Sequence, residues 1–288
     1  MDDGRHDVTT MVAVVGPTAA GKSDFAIDYA LGHDAEIVNA DSMQLYLGMD
    51  IGTAKVPVEQ RRGVTHHLLD IWPVTRTATL AEYQQLALAA VDDIAARGRL
   101  PVVVGGSGMY VHAVVDRWDI PGTDPEVRAR LEAELAAQGA EAMHRRLADA
   151  DPAAAIAILP TNGRRIVRAL EVVAMRGSFS AQLPTFEPNP DLELIGLRVP
   201  RDELDARIER RVERMWDEGF VDEVRALEQQ GLRDGLTASR ALGYAQVLAF
   251  LAGECSEQEA RDDTVRATRR FARRQESWFN RDPRVRWI

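Results

Sequence analysis

Lysine is almost missing from this 288-residue chain: Lys22 and Lys55 stand alone against thirty-three arginines. Cysteine is scarcer still, since Cys255 has no second thiol to meet, and this excludes an internal disulfide, a cysteine-based zinc cluster and dithiol redox chemistry. No apolar run approaches the roughly 20 residues of a membrane-spanning helix. Nor does a charged segment followed by an apolar one precede the first strand pattern, so a soluble cytoplasmic protein is expected. Positive charge is in deficit overall. The net charge of −10 argues against indiscriminate binding to nucleic acid, because a polyanion is repelled on average. What is present is ordinary for a globular protein, 45% apolar and 28% charged residues, and the length suits one sizeable domain with a smaller appendage.

Scarcity makes position informative. Lys22 lies inside the octapeptide GPTAAGKS, formed by Gly16, Pro17, Thr18, Ala19, Ala20, Gly21, Lys22 and Ser23. A compact ammonium fits among phosphate oxygens where a flat guanidinium does not. The octapeptide matches G-x-x-x-x-G-K-[ST], with the apolar run MVAVV before it and the helical pattern DFAIDYA after it. Strand, glycine-rich loop and helix in that order let successive amides point inward, and the helix adds its positive end to the same cradle. Lys22 then faces the outer oxygens of a polyphosphate, and the Ser23 hydroxyl completes the shell of a Mg2+ ion.

Beyond a polar, loose lead-in over residues 1–10, the patterning predicts strands at 11–15, 36–39 and 100–104 and helices at 22–31 and 79–97. The strand at 100–104 opens into a second glycine-rich loop, GGSG, which reads either as a ligand loop at a sheet edge or as a plain turn into a helix. Residues 124–176 are helical in pattern throughout, Pro184, Pro188 and Pro190 punctuate the end of that stretch, and a strand at 194–199 returns to the sheet. From 201 to 279 the chain is helical again. The fold class expected is α/β: a P-loop NTPase-like parallel sheet flanked by helices, with an all-helical insertion domain. The domain boundaries are 1–118 for the first part of the core, 119–190 for the insertion and 191–288 for the second part of the core. Trp216, Phe220, Tyr244, Trp278 and Phe279 recur at helical spacing and read as core.

A phosphoryl-transfer enzyme of this class usually carries a carboxylate at the end of a second buried strand, but here that strand ends in glycine, and the N-K-x-D signature of a GTPase is absent. The best carboxylate is Asp41, just past the 36–39 strand, with a helix cap or an Asx-turn as its plainer role. Two stretches are locally basic. From Arg261 onward nine arginines face four acids, and Arg164, Arg165, Arg168 and Arg176 face only Glu171; each reads as an RNA-facing patch or as a solvated helix face. The six histidines, His66 and His67 included, lack metal-site spacing, and no transition metal is expected.

Taken in order, GPTAAGKS, NADSMQLYLGMDIGTAK, GGSGMYV, RRIVRALEV, RIERRVERMWDEGFVDEV, RALGY and RRQESWF resemble the tRNA dimethylallyltransferase family over nearly the whole chain. The resemblance implies transfer of a dimethylallyl group from dimethylallyl diphosphate to N6 of adenosine 37, beside the anticodon, in tRNAs reading codons that begin with U, with Mg2+ as cofactor and no need for ATP. It implies Asp41 as general base, Arg211 and Lys22 as acceptors of leaving-group charge, and Ser107 as a hydroxyl for the bridging oxygen, where the family more often has Thr. It also sets Asp41, Ser42, Met43, Gln44, Ser107, Arg128, Arg164, Arg165, Ile166, Val167 and Arg168 against the anticodon stem-loop of the tRNA. A monomer without membrane attachment is expected. The rival readings are a small-molecule kinase using the same loop for ATP and a non-catalytic RNA-binding regulator.

Overall fold

The computed structural model describes residues 10–179 and 186–288; most of the polar lead-in over 1–10, and Pro184, lie outside them. Along the chain β1 (Met11–Val15) is followed by α1 (Lys22–Gly32), β2 (Ala35–Asn39), β3 (His66–His67), α2 (Leu80–Ala96), β4 (Leu100–Gly105) and α3 (Gly108–Val115). Four helices intervene, α4 (Pro125–Gln138), α5 (Ala140–Ala150), α6 (Pro152–Ala157) and α7 (Gly163–Arg176). The chain then continues through β5 (Leu192–Gly196), α8 (Arg201–Asp217), α9 (Phe220–Gln229), α10 (Tyr244–Leu251), α11 (Glu257–Phe279) and β6 (Val285–Trp287). Among the described residues no helix is long and apolar enough to cross a membrane.

The chain divides into two compact units, Met1–Trp118 with Phe186–Ile288, and Asp119–Thr185, so the expected insertion boundary at 190 moves to 185. In the first unit six strands form one parallel sheet in the order β3-β2-β4-β1-β5-β6. β1 is buried at every residue, as a central parallel strand covered on both faces must be. Alternation along it separates two cores. Met11, Ala13 and Val15 meet Tyr83, Val91 and Ile94 of α2, while Val12 and Val14 meet Ala26 and Ile27 of α1 and Leu204 and Ile208 of α8. Trp216, Phe220, Tyr244 and Phe279 are core residues, as their spacing suggests, and Trp278 packs partly buried at its edge.

The second unit packs α4 to α7 around Leu131, Met143, Leu147, Ile158, Ile166, Val167 and Leu170. Three of the four starts are specified locally: Asp124, Asp151 and Asn162 cap α4, α6 and α7 with their side chains, the first two with proline at the next position. Its one fully buried carboxylate, Glu171, accepts from the Asp124 amide at 3.0 Å, from Arg128 at 2.5 Å and from Arg168 at 2.8 Å.

Three features depart from the sequence reading. The strand expected at 194–199 ends at Gly196, although Leu197 still donates to the Val15 carbonyl at 2.9 Å. β3 and β6 were not anticipated, since two and three residues are too short to show periodicity, and β6 exists by pairing with β5. In the basic segment from Arg261, five of the nine arginines are paired among the described residues, Arg261 to Glu257, Arg266 to Asp263, Arg269 to Glu209, Arg284 to Asp116 and Asp282, and Arg286 to Glu193, while Arg270, Arg273, Arg274 and Arg281 are exposed. Half of these acids, Glu209, Asp116 and Glu193, come from elsewhere in the chain, which a count along the segment does not see.

On β2 the buried Glu36 accepts hydrogen bonds from Arg97 and from Arg99, at 2.8 and 2.7 Å, and lies 2.6 Å from His67 Nε2. The Arg97 bonds dominate, and with His67 and Arg99 they outweigh burial and hold the carboxyl far below the usual carboxylate range. A carboxyl whose folded pKa is depressed stabilises the fold above its unfolded value of about 4.3, and that stabilisation drains away as pH falls below it. Glu36→Gln is expected to lower the melting temperature at pH 7 and to flatten its decline below about pH 4.3 relative to the parent. Thermal melts of the two proteins over pH 2–7 check this, and parallel curves would contradict it.

Candidate active site

Because β2, β4 and β1 are neighbours and parallel, the loops leaving their carboxyl ends meet at one edge of the sheet. β1 delivers the octapeptide, β2 delivers Asp41 and β4 delivers Gly106 and Ser107. The octapeptide, Asp41 and Gly106 border a cavity of about 940 Å³ whose walls include Thr18, Lys22, Asp41, Thr53, Arg211 and Gln275, while Ser107 follows Gly106 just outside that lining.

Gly21 caps α1 at φ +91° and makes no side-chain cap bond, so the first amides of α1 are left for an incoming anion. A Cβ at Gly21 would meet nothing within 4 Å; the backbone angle, and not space, calls for glycine there. Lys22 folds back so that Nζ donates to the Pro17 carbonyl at 2.7 Å, and it has no carboxylate at ion-pair distance among the described residues. Burial pulls its pKa down to about 8, with the charge of Asp41 opposing and that of Arg211 assisting. Ser23 is half-buried on the same wall.

Asp41 takes the plainer role its position allowed, an Asx-turn, on the wall of the cavity. Its Oδ1 accepts from the Met43 amide at 2.9 Å in an Asx-turn, while the buried Asn39 clamps its backbone, accepting from Asp41 N at 2.9 Å and donating to Asp41 O at 3.0 Å. That leaves Oδ2 without a hydrogen bond among the described residues and free to face the cavity. The carboxylate's charge reaches Lys22, Arg211, Tyr83 and Tyr110, each of whose protonation it shifts.

Arg211 comes from α8 and donates to Thr18 Oγ1 at 3.1 Å and to the Thr53 carbonyl at 3.2 Å. Burial lowers its pKa and Asp41 resists that shift; with only neutral acceptors, the guanidinium keeps its charge available to an anion. Gln44 lines the cavity and donates to Thr53 O at 3.2 Å, while Ser42 and Met43 are half-buried in the turn. Ser107 caps α3 through its carbonyl, which accepts from Tyr110 at 2.8 Å, and its hydroxyl makes no capping bond.

The residues assigned to tRNA in the second unit divide. Arg164 and Arg165 are exposed at the start of α7. Ile166 and Val167 are buried in that unit's core, at 0% and 1% exposure, so their side chains face its interior and not a ligand; the helical period turns them inward between the arginines. Arg128 and Arg168 spend their charge on Glu171, and Arg168 also donates to the Pro121 and Gly122 carbonyls at 2.6 and 2.9 Å.

Two cavity residues went unnoticed in the sequence. Lys55 is buried with all three hydrogens committed, to Tyr46 O at 2.9 Å, Asp50 at 2.6 Å and Asp70 at 2.5 Å, and so anchors the loop that carries Thr53. The scarcity that singled out Lys22 could have found it. Gln275, on α11, accepts from the Thr18 amide at 2.8 Å, and nothing local announces it.

The family model described as IPP transferase matches residues 44–282, which leaves the octapeptide and Asp41 outside the matched segment. The tRNA dimethylallyltransferase of Thermobifida fusca is 66% identical over 287 residues, covering 98% of this chain and 90% of the relative. That of Streptomyces avermitilis is 65% identical over 279 residues, covering 96% and 89%. Among solved structures, the tRNA isopentenylpyrophosphate transferase of Bacillus halodurans superposes with a TM-score of 0.72 at 41% identity, covering 97% of this chain and 89% of that one.

The cradle makes a prediction that involves no prenyl chemistry. With a pKa near 8 when the site is empty, Lys22 must take up a proton to hold an anion above that pH. Affinity for inorganic pyrophosphate is therefore expected to fall up to about tenfold per pH unit above 8. Calorimetry at about pH 9 in buffers of different ionisation enthalpy should report proton uptake by the parent that is absent from Lys22→Met. Equal uptake by both proteins would remove Lys22 from the cradle.

Proposed function

The chain belongs to the IPP transferase family, and on that premise we propose that it moves the dimethylallyl group of dimethylallyl diphosphate onto N6 of the adenosine 3′ to the anticodon, position 37, in tRNAs reading codons that begin with U. The observation that carries this reading is the pairing of an uncapped anion cradle with a carboxylate oxygen left free, both on one cavity and delivered by nearby strands of one sheet.

In the reaction the bond between the allylic carbon and the diphosphate oxygen breaks, a carbon–nitrogen bond to N6 forms, and one N6 proton leaves. Negative charge grows on the departing diphosphate, where the α1 amides, Lys22 and Arg211 receive it; such fixed donors matter more to the transition state than to the bound substrate. Ser107 would bond the bridging oxygen. An adenine amino group is a weak nucleophile that is hardly deprotonated in its ground state. Asp41 Oδ2 therefore acts late, accepting the proton as positive charge develops on nitrogen, with the Asx-turn holding the carboxylate in place. Stacked in the anticodon loop, N6 cannot reach this cavity, so the base must be extruded into it.

Among the described residues no three His, Cys, Asp or Glu side chains converge. A Mg2+ ion would take oxygens from Ser23, the diphosphate and water, a set that suits a hard cation that dehydrates reluctantly. When bound it would neutralise part of the diphosphate charge. The exposed Arg164 and Arg165 support tRNA contact by the helical unit.

Asp41→Ala is expected to cut turnover by about 10²–10⁴-fold while leaving tRNA affinity nearly unchanged. Single-turnover transfer and filter binding with an anticodon stem-loop measure the two; near-normal turnover would take the base role from Asp41. Mass spectrometry of total tRNA, with and without the gene, should show N6-dimethylallyladenosine disappear, and its persistence would overturn the reading.

A further inference from the structure

α11 buries Thr264, Thr268, Ala272, Gln275 and Phe279, a stripe of small and apolar residues broken by one long amide. A buried amide on such a face requires partners. Gln275, 5% exposed, finds the octapeptide: its Oε1 accepts from the Thr18 amide at 2.8 Å. Its other end lies against the second glycine-rich loop, where a Cβ built on Gly106 would come within 2.1 Å of Gln275 Nε2. Three residues on, Trp278 presses on the far side of that loop, 2.1 Å from a Cβ built on Gly108, with its indole N–H donating to His112 at 3.1 Å. Ser107 is thus flanked by two glycines, each in close contact with a side chain of α11. Thr18 is a node as well, because its hydroxyl accepts from Arg211.

We infer that Gln275 is a positioning residue that sets Thr18, and through it Arg211, against Ser107, so that the cradle and the hydroxyl are held at one spacing. The inference rests on the prenyl-transfer reading for its kinetic readout and on geometry alone for its binding readout. Gln275 acts through Thr18 and through the loop bearing Ser107, without contacting the reacting atoms. This role requires glycine at 106, since any side chain there would displace the amide. The bond also spans 257 residues of sequence and ties α11 to the cradle directly.

Two substitutions of similar size separate positioning from space-filling. Gln275→Met fills the volume but cannot accept from Thr18 N; it is expected to melt within a few degrees of the parent, to raise the Kd for inorganic pyrophosphate about fivefold and to lower kcat by about 10–100-fold, the loss that a misplacement of about 1 Å brings. Gln275→Glu keeps the acceptor but brings charge beside the phosphates, so its kcat should stay within about fivefold of the parent while the donor KM rises about tenfold or more. Opposite kcat-against-KM splits support the inference. The same split in both variants, or parent-like kcat and pyrophosphate affinity in Gln275→Met, overturns it. Should Gln275→Met not fold, Gly106→Ala takes its place with the same expected fall in kcat and pyrophosphate affinity, and parent-like values there overturn the inference. Parent protein that binds pyrophosphate but transfers no dimethylallyl group sinks the functional reading alone, and the pyrophosphate arm then decides the role of Gln275.

Discussion

Two half-buried cations that, among the described residues, have no carboxylate at bonding distance govern this site. Lys22 leans on a carbonyl, and Arg211 on a hydroxyl and a carbonyl. Neutral oxygens do not replace the water that such groups lose, and burial depresses both pKa values for that reason. An anion arriving between them would offset that desolvation. The strand order follows the same need, since placing β1 between β4 and β5, with β2 beyond β4, brings the cradle, the GGSG loop and Asp41 to one edge.

Asp41 must not neutralise the cations it faces. A carboxylate in direct contact with Lys22 would close the cradle to diphosphate, whereas one held back affects both cations through space and leaves them available. The Asx-turn accomplishes this: one oxygen is tied to the Met43 amide, and the buried Asn39 fixes the backbone on either side of the turn. The loop that follows is secured at a distance from the chemistry. Lys55 ties Asp50 and Asp70 together, and Glu223 accepts from the amides of Asp50, Ile51 and Gly52 at 3.1, 2.7 and 3.2 Å. The turn thus orients the carboxylate toward the proposed base role and does not compete with it.

What could be read from the sequence was what local chemistry determines. The octapeptide, the buried strands at 11–15 and 100–104 and the capped helices of the second unit each carry their signal within a dozen residues. Partnerships were not legible, because they depend on which surfaces meet. Arg269 looks like an RNA contact until Glu209 appears beside it, and Arg128 and Arg168 look cationic until a fully buried Glu171 is found between them. Ile166 and Val167 show the opposite error: adjacency in a motif placed them with the arginines, whereas a 3.6-residue period turns them into the core. β3 and β6 escaped because so short a strand is defined by its neighbour and not by its own residues.

These pairings bear on how an acidic protein handles a polyanion. Arginines paired with carboxylates, such as Arg269, Arg284 and Arg286, have part of their charge spent within the protein and release fewer counterions on meeting phosphates than a count of arginines suggests. Contacts to an RNA backbone position a protein without reading sequence, so discrimination rests on shape and on base contacts. The concentration of uncompensated charge at Lys22 and Arg211 has the same logic. Placed on the surface, it would attract any RNA; recessed in the cavity at the sheet edge, it favours a compact anion small enough to reach the α1 amides. The scarcity of lysine thus reflects a division of labour, in which arginine carries the paired surface charge and one ammonium is kept for the cradle.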